Sequence, residues 1–471
     1  PHLSPKQKSN YLALEAENSL PYVAVSERVN NAMKQGIICD MFEGHAPFKP
    51  RYVLPDYAKY LQQGSEYLEL SPAEDFDDAL NALTILYFHV PSVTNIPVYL
   101  GQLDTLLMPF TQGLDAEAIY RKLKRFWILL DRTLPDAFMH VNIGPTDNII
   151  CRTILRIDAE LQQIAPNLTF MYDPAVTPDD LLFQATSNIC QCGKPHIANY
   201  PLHADAFDAR GFGIVSCYNA LPLAGGANTL VRVNLKEVAL NANSIKEQLI
   251  DESRFAPMFG IYGMAEAVNI LQALLPNAAE TTTANVASKP NTGYGHNLDA
   301  NELGLRISAS LDNIVKSTLV TYGYNGRALL HSQSGISLDK NVTPGVRIPY
   351  GSEPDPISHI QALAKHHQYY TAGISDILTI DETVKANPQA MFQLCKGALS
   401  SGFREFSANV ANNDLVRVTG YMVKRSDIET FKQCGSRTNT TGLAAEAAIN
   451  TGIFQRQARV IAHEQAPFIH E

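Results

Sequence analysis

Between Val141 and Ala206, strand-like and helix-like stretches alternate, and this alternation constrains the fold more than any other part of the chain. Pro166-Asn167-Leu168-Thr169-Phe170-Met171-Tyr172 is short and apolar, as a strand covered on both faces would be. Pro178 to Asn188 has a helical pattern. Parallel neighbours need a crossover connection, usually a helix, so this alternation predicts a parallel α/β architecture. Residues 1 to about 90 read mainly as helix, with Phe76, Leu80, Leu83 and Leu86 on one face. A second helix is predicted from near Asp115, with Ile119, Leu123, Phe126, Trp127 and Leu130 as its buried stripe. Asp115 and Glu117 suit its first turn, where unpaired N–H groups favour a carboxylate.

With 471 residues, the chain has room for one large α/β barrel or for two to three domains. Its hydrophobic fraction of 45% and charged fraction of 18% are those of a soluble globular protein. No apolar run approaches the ~18 residues of a membrane span. A net charge of −10, with no basic cluster interleaved with aromatics, argues against a nucleic-acid partner. Seven scattered cysteines, with one C-x-C pair and no C-x-x-C, suggest free thiols in a reducing compartment. No signal-peptide pattern is visible, so the expected location is the cytoplasm.

Chemistry concentrates near the C-terminus, at Asp414-Leu415-Val416-Arg417-Val418-Thr419-Gly420-Tyr421-Met422-Val423. The stretch reads as extended chain broken by a turn at Gly420. A glycine α-carbon that loses a hydrogen atom becomes planar. The amide nitrogen on one side donates electron density and the carbonyl on the other accepts it. A side chain would clash with that planar backbone, so such a centre requires Gly.

A second element is Gly213-Ile214-Val215-Ser216-Cys217-Tyr218-Asn219-Ala220-Leu221-Pro222, followed by a strand from Thr229 to Leu235. A buried free Cys at a strand-to-loop junction is common as a small apolar residue. Cys217 can also carry a thiyl radical, because a thiol S–H bond has roughly the strength of a peptide Gly Cα–H bond. Hydrogen-atom transfer between the two is then nearly balanced. It needs contact and exclusion of water, and none of the basic neighbours of a nucleophilic Cys.

Arg417-Val418-Thr419-Gly420-Tyr421 resembles the RVxGY signature of the glycyl radical enzymes. Three further segments resemble that family in the same order. They are Gly101-Gln102-Leu103-Asp104 through Pro109-Phe110, the Ile-Val-Ser-Cys loop at Cys217, and Tyr370 to Ile377. Phe259 to Asn269, which reads as the opening of an apolar helix, is similar to a segment of anaerobic ribonucleotide reductases. Glu266 within it reads as a structural helix residue. Over the whole chain the likeness is to the YjjI-type members, whose general plan resembles the anaerobic reductases.

The resemblance implies a ten-stranded α/β barrel, two antiparallel halves of five parallel strands ringed by helices. The Cys217 and Gly420 loops would meet inside it. It implies three parts: a mainly helical 1–90, a barrel over 91–404 and a radical domain over 405–471. It implies a thiyl at Cys217 that takes a hydrogen atom from a small substrate under anaerobic conditions. No cofactor would be bound permanently. A separate activating enzyme using S-adenosylmethionine and an iron–sulfur cluster would install the radical on Gly420, after the C-terminal part leaves the barrel. A homodimer is left open.

Departures from the family pattern limit the activity. Asn219 stands where diol- and amine-acting members carry a general-base Glu. Ser216 precedes Cys217, where formate-lyase members have adjacent cysteines, and residues 396–419 lack the four zinc cysteines of the reductases. A zinc-free reductase and a non-catalytic protein of the same fold are therefore alternatives. Asn219 and His203 are candidates for substrate contact, and Asp205 and Asp208 read as solvated loop polars. Cys190-x-Cys192 with His196 and His203 lacks a second cysteine pair at zinc-like spacing, so no metal site is expected. Residues 281–300 and 339–356 read as long loops, and helices are expected near 383–402.

Overall fold

A computed structural model describes residues 27–40, 51–93, 98–133, 139–207, 211–240, 255–273, 293–318, 328–332, 342–418, 420–435, 439–450 and 452–461. Its strands, in chain order, are β1 (Ile38–Asp40), β2 (Tyr52–Leu54), β3 (Val98–Gln102), β4 (Met139–Ile143), β5 (Asn167–Tyr172), β6 (His196–Asn199), β7 (Phe212–Val215) and β8 (Asn219–Pro222). They continue as β9 (Gly225–Asn234), β10 (Phe255–Tyr262), β11 (Leu329–Ser332), β12 (Leu378–Ile380), β13 (Glu405–Phe406), β14 (Ala408–Val410), β15 (Leu415–Arg417) and β16 (Met422–Lys424).

The predicted α/β alternation holds where the apolar pattern is strongest. β3, β4, β5 and β6 lie side by side and parallel, with His140 opposite Asn167 and Thr169 opposite His196. Helices Ala116–Thr133, Ile149–Leu161 and Asp179–Cys192 make the crossovers. The first of these buries Ile119, Leu123, Phe126, Trp127 and Leu130, and the Asp115 carboxylate accepts from the Ala118 N–H at 2.7 Å. A second sheet is built on β9, with β10 and β11 parallel to one another, β10 parallel to β9, and β1 and β2 antiparallel to β9.

Two five-stranded sheets of mixed direction thus stand where two five-stranded parallel halves were expected. β13 is antiparallel to β6 for a local reason. Helix Pro388–Ser400 delivers the chain to the C-terminal end of β6, where the Asn199 side-chain amide donates to the Leu399 and Phe403 carbonyls at 3.2 and 3.1 Å. From there the chain can only run back along β6. Tyr370 to Ile377 touches β11 through one parallel bridge, Ser332 with Ile374.

Two segments differ from their sequence patterns. Phe259 to Tyr262 belongs to β10, and the helix starts only at Met264. A short apolar run has no period that separates buried strand from buried helix, and Gly263, at φ +83°, marks the change. Leu298 to Ser317 is a helix capped by the Asn297 side chain, so only 293–297 of the described part of that predicted loop is turn. One large apolar core fills the space between the sheets and helices. Val418, Tyr421, Val423, Ile428, Ala445, Ala447, Ala448 and Ile453 form a separate small core at the C-terminal end.

Candidate active site

Gly420 lies at the tip of the hairpin formed by β15 and β16, where the Val418 N–H donates to the Tyr421 carbonyl at 3.0 Å. Gly420 is buried, and Thr419 beside it lies outside the described residues. Its carbonyl accepts from the Asn167 side-chain amide at the start of β5. The Arg417 guanidinium, fully buried, donates to Asn167 Oδ1 at 2.8 Å and to the Gly193 carbonyl at 3.3 and 3.4 Å. Asn409 clasps the Arg417 backbone, accepting from its N–H at 2.8 Å and donating to its carbonyl at 2.7 Å. Beneath this, Lys194 Nζ donates to Asp158 Oδ1 at 2.7 Å and to the Pro166 carbonyl at 3.0 Å, with both side chains fully buried. The glycine tip therefore rests on a polar platform at the N-terminal ends of β5 and β6.

Cys217 lies at the turn between β7 and β8, which pair antiparallel as a separate two-stranded sheet. Ser216 and Tyr218 on either side have φ of +52° and +65°. Left-handed backbone at two non-glycine residues costs of order 1–3 kcal/mol each and persists only where the surroundings impose it. The surroundings do so here. Asn142 accepts from the Ile214 N–H at 2.9 Å and donates to its carbonyl at 3.0 Å. His140 Nδ1 accepts from the Ser216 N–H at 3.2 Å, and the Ala220 N–H donates to the Ala372 carbonyl at 3.2 Å. Ser407 Oγ donates to the Tyr218 hydroxyl at 2.8 Å. Cys217 is 2% exposed, so its sulfur is shielded from bulk water.

The two tips meet. A Cβ added to Gly420 would fall on the Ser216 carbonyl group and 2.5 Å from the Cys217 nitrogen. Two loops remote in sequence are thus packed backbone to backbone, in a buried space, with no room for a side chain at position 420.

His140 and His331 near this centre, and His366 in the core against Tyr294 and Ser308, are held neutral. Burial, and then the nearby Arg417, pushes His140 down to about 3. Burial also pushes His331 to about 3 and His366 to about 4. The unfolded chain takes up these protons near pH 6.5 while the folded chain refuses them, so stability is complete above that value and declines as pH falls toward 4. At pH 5 each of the three costs about 2 kcal/mol. Asp104 opposes this in part, since burial raises it to about 6 and the folded form gains its proton first as pH falls. Urea unfolding at pH 7 and pH 5 is expected to show a marked loss at the lower pH. His331→Gln is expected to reduce that loss by about 2 kcal/mol.

The other candidates fall in different places. His203, on the short helix Tyr200–Ala204, is fully buried, and its Nε2 lies 2.8 Å from Glu405 Oε1. Asn219 turns inward on its own hairpin and donates to the Val215 carbonyl at 3.2 Å. Asp205 is exposed, and Asp208 lies outside the described residues. Glu266 accepts from the Thr343 N–H and hydroxyl at 2.9 and 2.6 Å, tying a loop to its helix. Cys190 and Cys192 end helix Asp179–Cys192, and burial raises their thiols to about 11 and about 12. Among the described residues no three His, Cys, Asp or Glu side chains gather to hold a metal ion. Among them, too, no helix is long and apolar enough to cross a membrane. Glu405 has no motif around it, and only the register of β13 on β6 brings it to this centre.

The family model described as YjjI-like glycyl radical enzyme matches residues 3–247 and 244–459. The chain is 56% identical to the uncharacterised protein YjjI of Escherichia coli (strain K12), over 99% of this chain and 95% of that one. It is 34% identical to an uncharacterised protein of Haemophilus influenzae (strain ATCC 51907 / DSM 11121 / KW20 / Rd), over 91% and 89%. Solved structures share the fold at low identity. One is the hydroxyproline dehydratase of Clostridioides difficile with trans-4-hydroxy-L-proline bound, with TM-score 0.67 and 14% identity, covering 93% of this chain and 83% of that one. A Roseburia inulinivorans protein of 1,2-propanediol dehydration gives TM-score 0.70 and 12% identity, covering 97% and 86%. The anaerobic ribonucleotide reductase of Thermotoga maritima in complex with dATP and CTP gives 0.65 and 11%, covering 91% and 89%.

Proposed function

This chain belongs to the YjjI-like glycyl radical enzyme family, and from that premise we propose that Gly420 stores a backbone radical and Cys217 transmits it to a small substrate. The observation that carries this reading is the packing of Gly420 against Ser216 and Cys217 in a buried space. Hydrogen-atom transfer falls off steeply with distance, so such contact is its first requirement. Burial supplies the second, because oxygen and water would quench an exposed radical. The Gly420 Cα–H bond is remade as Cys217 loses its S–H hydrogen, and the thiyl then breaks a C–H bond of the substrate. Substrates named for the fold neighbours, trans-4-hydroxy-L-proline and 1,2-propanediol, are small hydroxylated molecules, which supports a substrate of that size.

A buried glycine cannot be reached by an activating enzyme, so its hairpin has to swing out first. The separate core around Val418 and Ala445 supports movement as one body. β13 is paired with β6, β14 with β12, and Arg456 and Arg459 bond to the chain of β12, so the moving part lies between Val410 and Arg456. A radical S-adenosylmethionine enzyme with an iron–sulfur cluster would act on it in that state, and would bring chemistry that this chain does not carry.

The test is anaerobic activation followed by electron paramagnetic resonance. One remaining α-hydrogen on Gly420 should split the signal into a doublet. Air should then cut the chain at Gly420, giving a shortened band on a gel. An activated protein with no doublet, and no cleavage in air, would refute the reading.

A further inference from the structure

We propose that Glu405 and His203 are the proton-transfer pair for the radical step, acting on a hydroxyl group at the carbon that Cys217 attacks. This rests on the radical reading above. Glu405 lies opposite Ala198 in the β13–β6 pairing, and directly opposed residues share a face. Ala198 packs with Phe212, Ile214 and Ala220, so that face is the one covered by the strands of the Cys217 hairpin. A Cβ built on Gly373 would touch the Tyr218 carbonyl and Glu405 Oε1, the latter at 2.7 Å. Gly373 thus stands as a thin spacer between the carboxylate and the residue after Cys217. His203 packs its ring against Phe212, at the start of β7, with centroids 5.5 Å apart.

The ends of the strands order these parts. Gly420 approaches from the N-terminal ends, where Asn167 and Gly193 hold its hairpin. Asn199, His203 and Glu405 gather at the C-terminal end of β6, the end at which open α/β sheets bind ligands. The Cys217 hairpin lies between the two. A substrate above the sulfur would meet the carboxylate and the imidazole together.

Both groups are buried, and they are incompletely satisfied. Glu405 Oε2 accepts from the Ile374 N–H at 3.1 Å, which fixes the carboxylate. Oε1 lies 2.8 Å from His203 Nε2 without the angles of a hydrogen bond, and neither of these atoms nor His203 Nδ1 has a hydrogen-bond partner among the described residues. His367 Nδ1 lies 4.0 Å from Oε2 but accepts from the Arg404 N–H, so it is already engaged. Buried polar atoms without partners are unusual in a native protein and point to a role. Asn219, at the position of the general base in related enzymes, is occupied with its own hairpin.

The chemistry explains why a carboxylate suffices. It is too weak a base for an ordinary alcohol. Once the thiyl has taken the hydrogen atom, the C–H bond is broken, S–H is formed and the spin sits on the carbon. The hydroxyl on that carbon is then far more acidic. Glu405 takes its proton, and the electron pair stays on oxygen. In a vicinal diol the neighbouring C–O bond then breaks with its pair on the departing oxygen. That oxygen regains the proton through Glu405 and His203 and leaves as water. The spin moves to the neighbouring carbon, which recovers its hydrogen atom from Cys217. The net change is a diol to a carbonyl compound plus water.

Anaerobically activated protein is offered 1,2-propanediol and glycerol, and carbonyl product is measured. Wild type should turn over at least one. Glu405→Gln should keep the doublet and lose roughly 100-fold or more in kcat with little change in KM, and Glu405→Asp should recover part of it. His203→Gln, which leaves the Ile374 contact untouched, should lose kcat in the same manner and carries the test where Glu405→Gln does not fold. A Glu405→Gln protein as fast as wild type would overturn the proposal. So would a wild-type protein that shows the doublet yet consumes neither diol. Absence of the doublet in wild type would instead overturn the radical reading itself.

Discussion

Gly420→Ala is expected to leave the two large sheets and their helices folded, yield no doublet on anaerobic activation, and turn over no substrate. The alanine methyl would coincide with the Ser216 carbonyl group and come within 2.5 Å of the Cys217 nitrogen. Both obstacles are backbone, and both are fixed. The Ser216 N–H is held by His140, and β7 is held by Asn142. The hairpin carrying position 420 must therefore give way, pulling its carbonyl from Asn167. Overpacking of this kind costs typically 1–3 kcal/mol, and a shift of about 1 Å is enough to disable a reaction that depends on contact. Limited proteolysis provides the structural readout, since a displaced hairpin should be cut sooner within 411–455 while the fragment N-terminal to it persists. A Gly420→Ala protein with the wild-type doublet would place the radical elsewhere.

Lys194→Met is expected to destabilise the protein by about 3–5 kcal/mol, the largest effect on stability of any single change proposed. Lys194 and Asp158 form a fully buried ion pair at 2.7 Å, and Lys194 also donates to the Pro166 carbonyl. Removing the cation leaves a buried carboxylate without its counter-charge. Among the described residues, the Trp127 indole N–H, 3.3 Å from the same oxygen, is the remaining donor to it. Asp158→Leu combined with Lys194→Met should recover most of the loss, because the desolvation cost of both charges then disappears. The single variant should also weaken the doublet after activation. Pro166 precedes Asn167 and Gly193 precedes Lys194, and those two neighbours grip Arg417 under the glycine tip. Urea unfolding of the single and double variants gives the cycle. A loss under about 1 kcal/mol in Lys194→Met would show that the pair contributes little.

Periodic segments were the legible part of the fold. The stripe from Ile119 to Leu130 and the run from Asn167 to Tyr172 form the helix and strand that their patterns indicate, because side-chain period and burial are local properties. Strand direction was less legible. β13 is two residues long, and what reverses it is the point at which helix Pro388–Ser400 releases the chain. Phe259 to Tyr262 could not be told from helix, since an apolar run carries no period. At the candidate site, Cys217 and Gly420 were visible as motifs, and their contact was implied only through resemblance. Glu405 and Lys194 were invisible as functional residues, because nothing in their neighbours' spacing marks them.

The sequence by itself determined the chemistry this chain can attempt: a glycine and a cysteine, each in a setting that suits a hydrogen atom's transfer, and α/β segments enough to enclose them. Whether those two loops touch, which carboxylate stands beside them, and what floor supports the glycine were decided only by the tertiary structure. The physical reason is that covalent order fixes a residue's neighbours along the chain, whereas reaction depends on neighbours in space. Those are chosen by strand register and loop packing, which join Asn167 to Gly420 and Glu405 to His203 across long stretches of the chain.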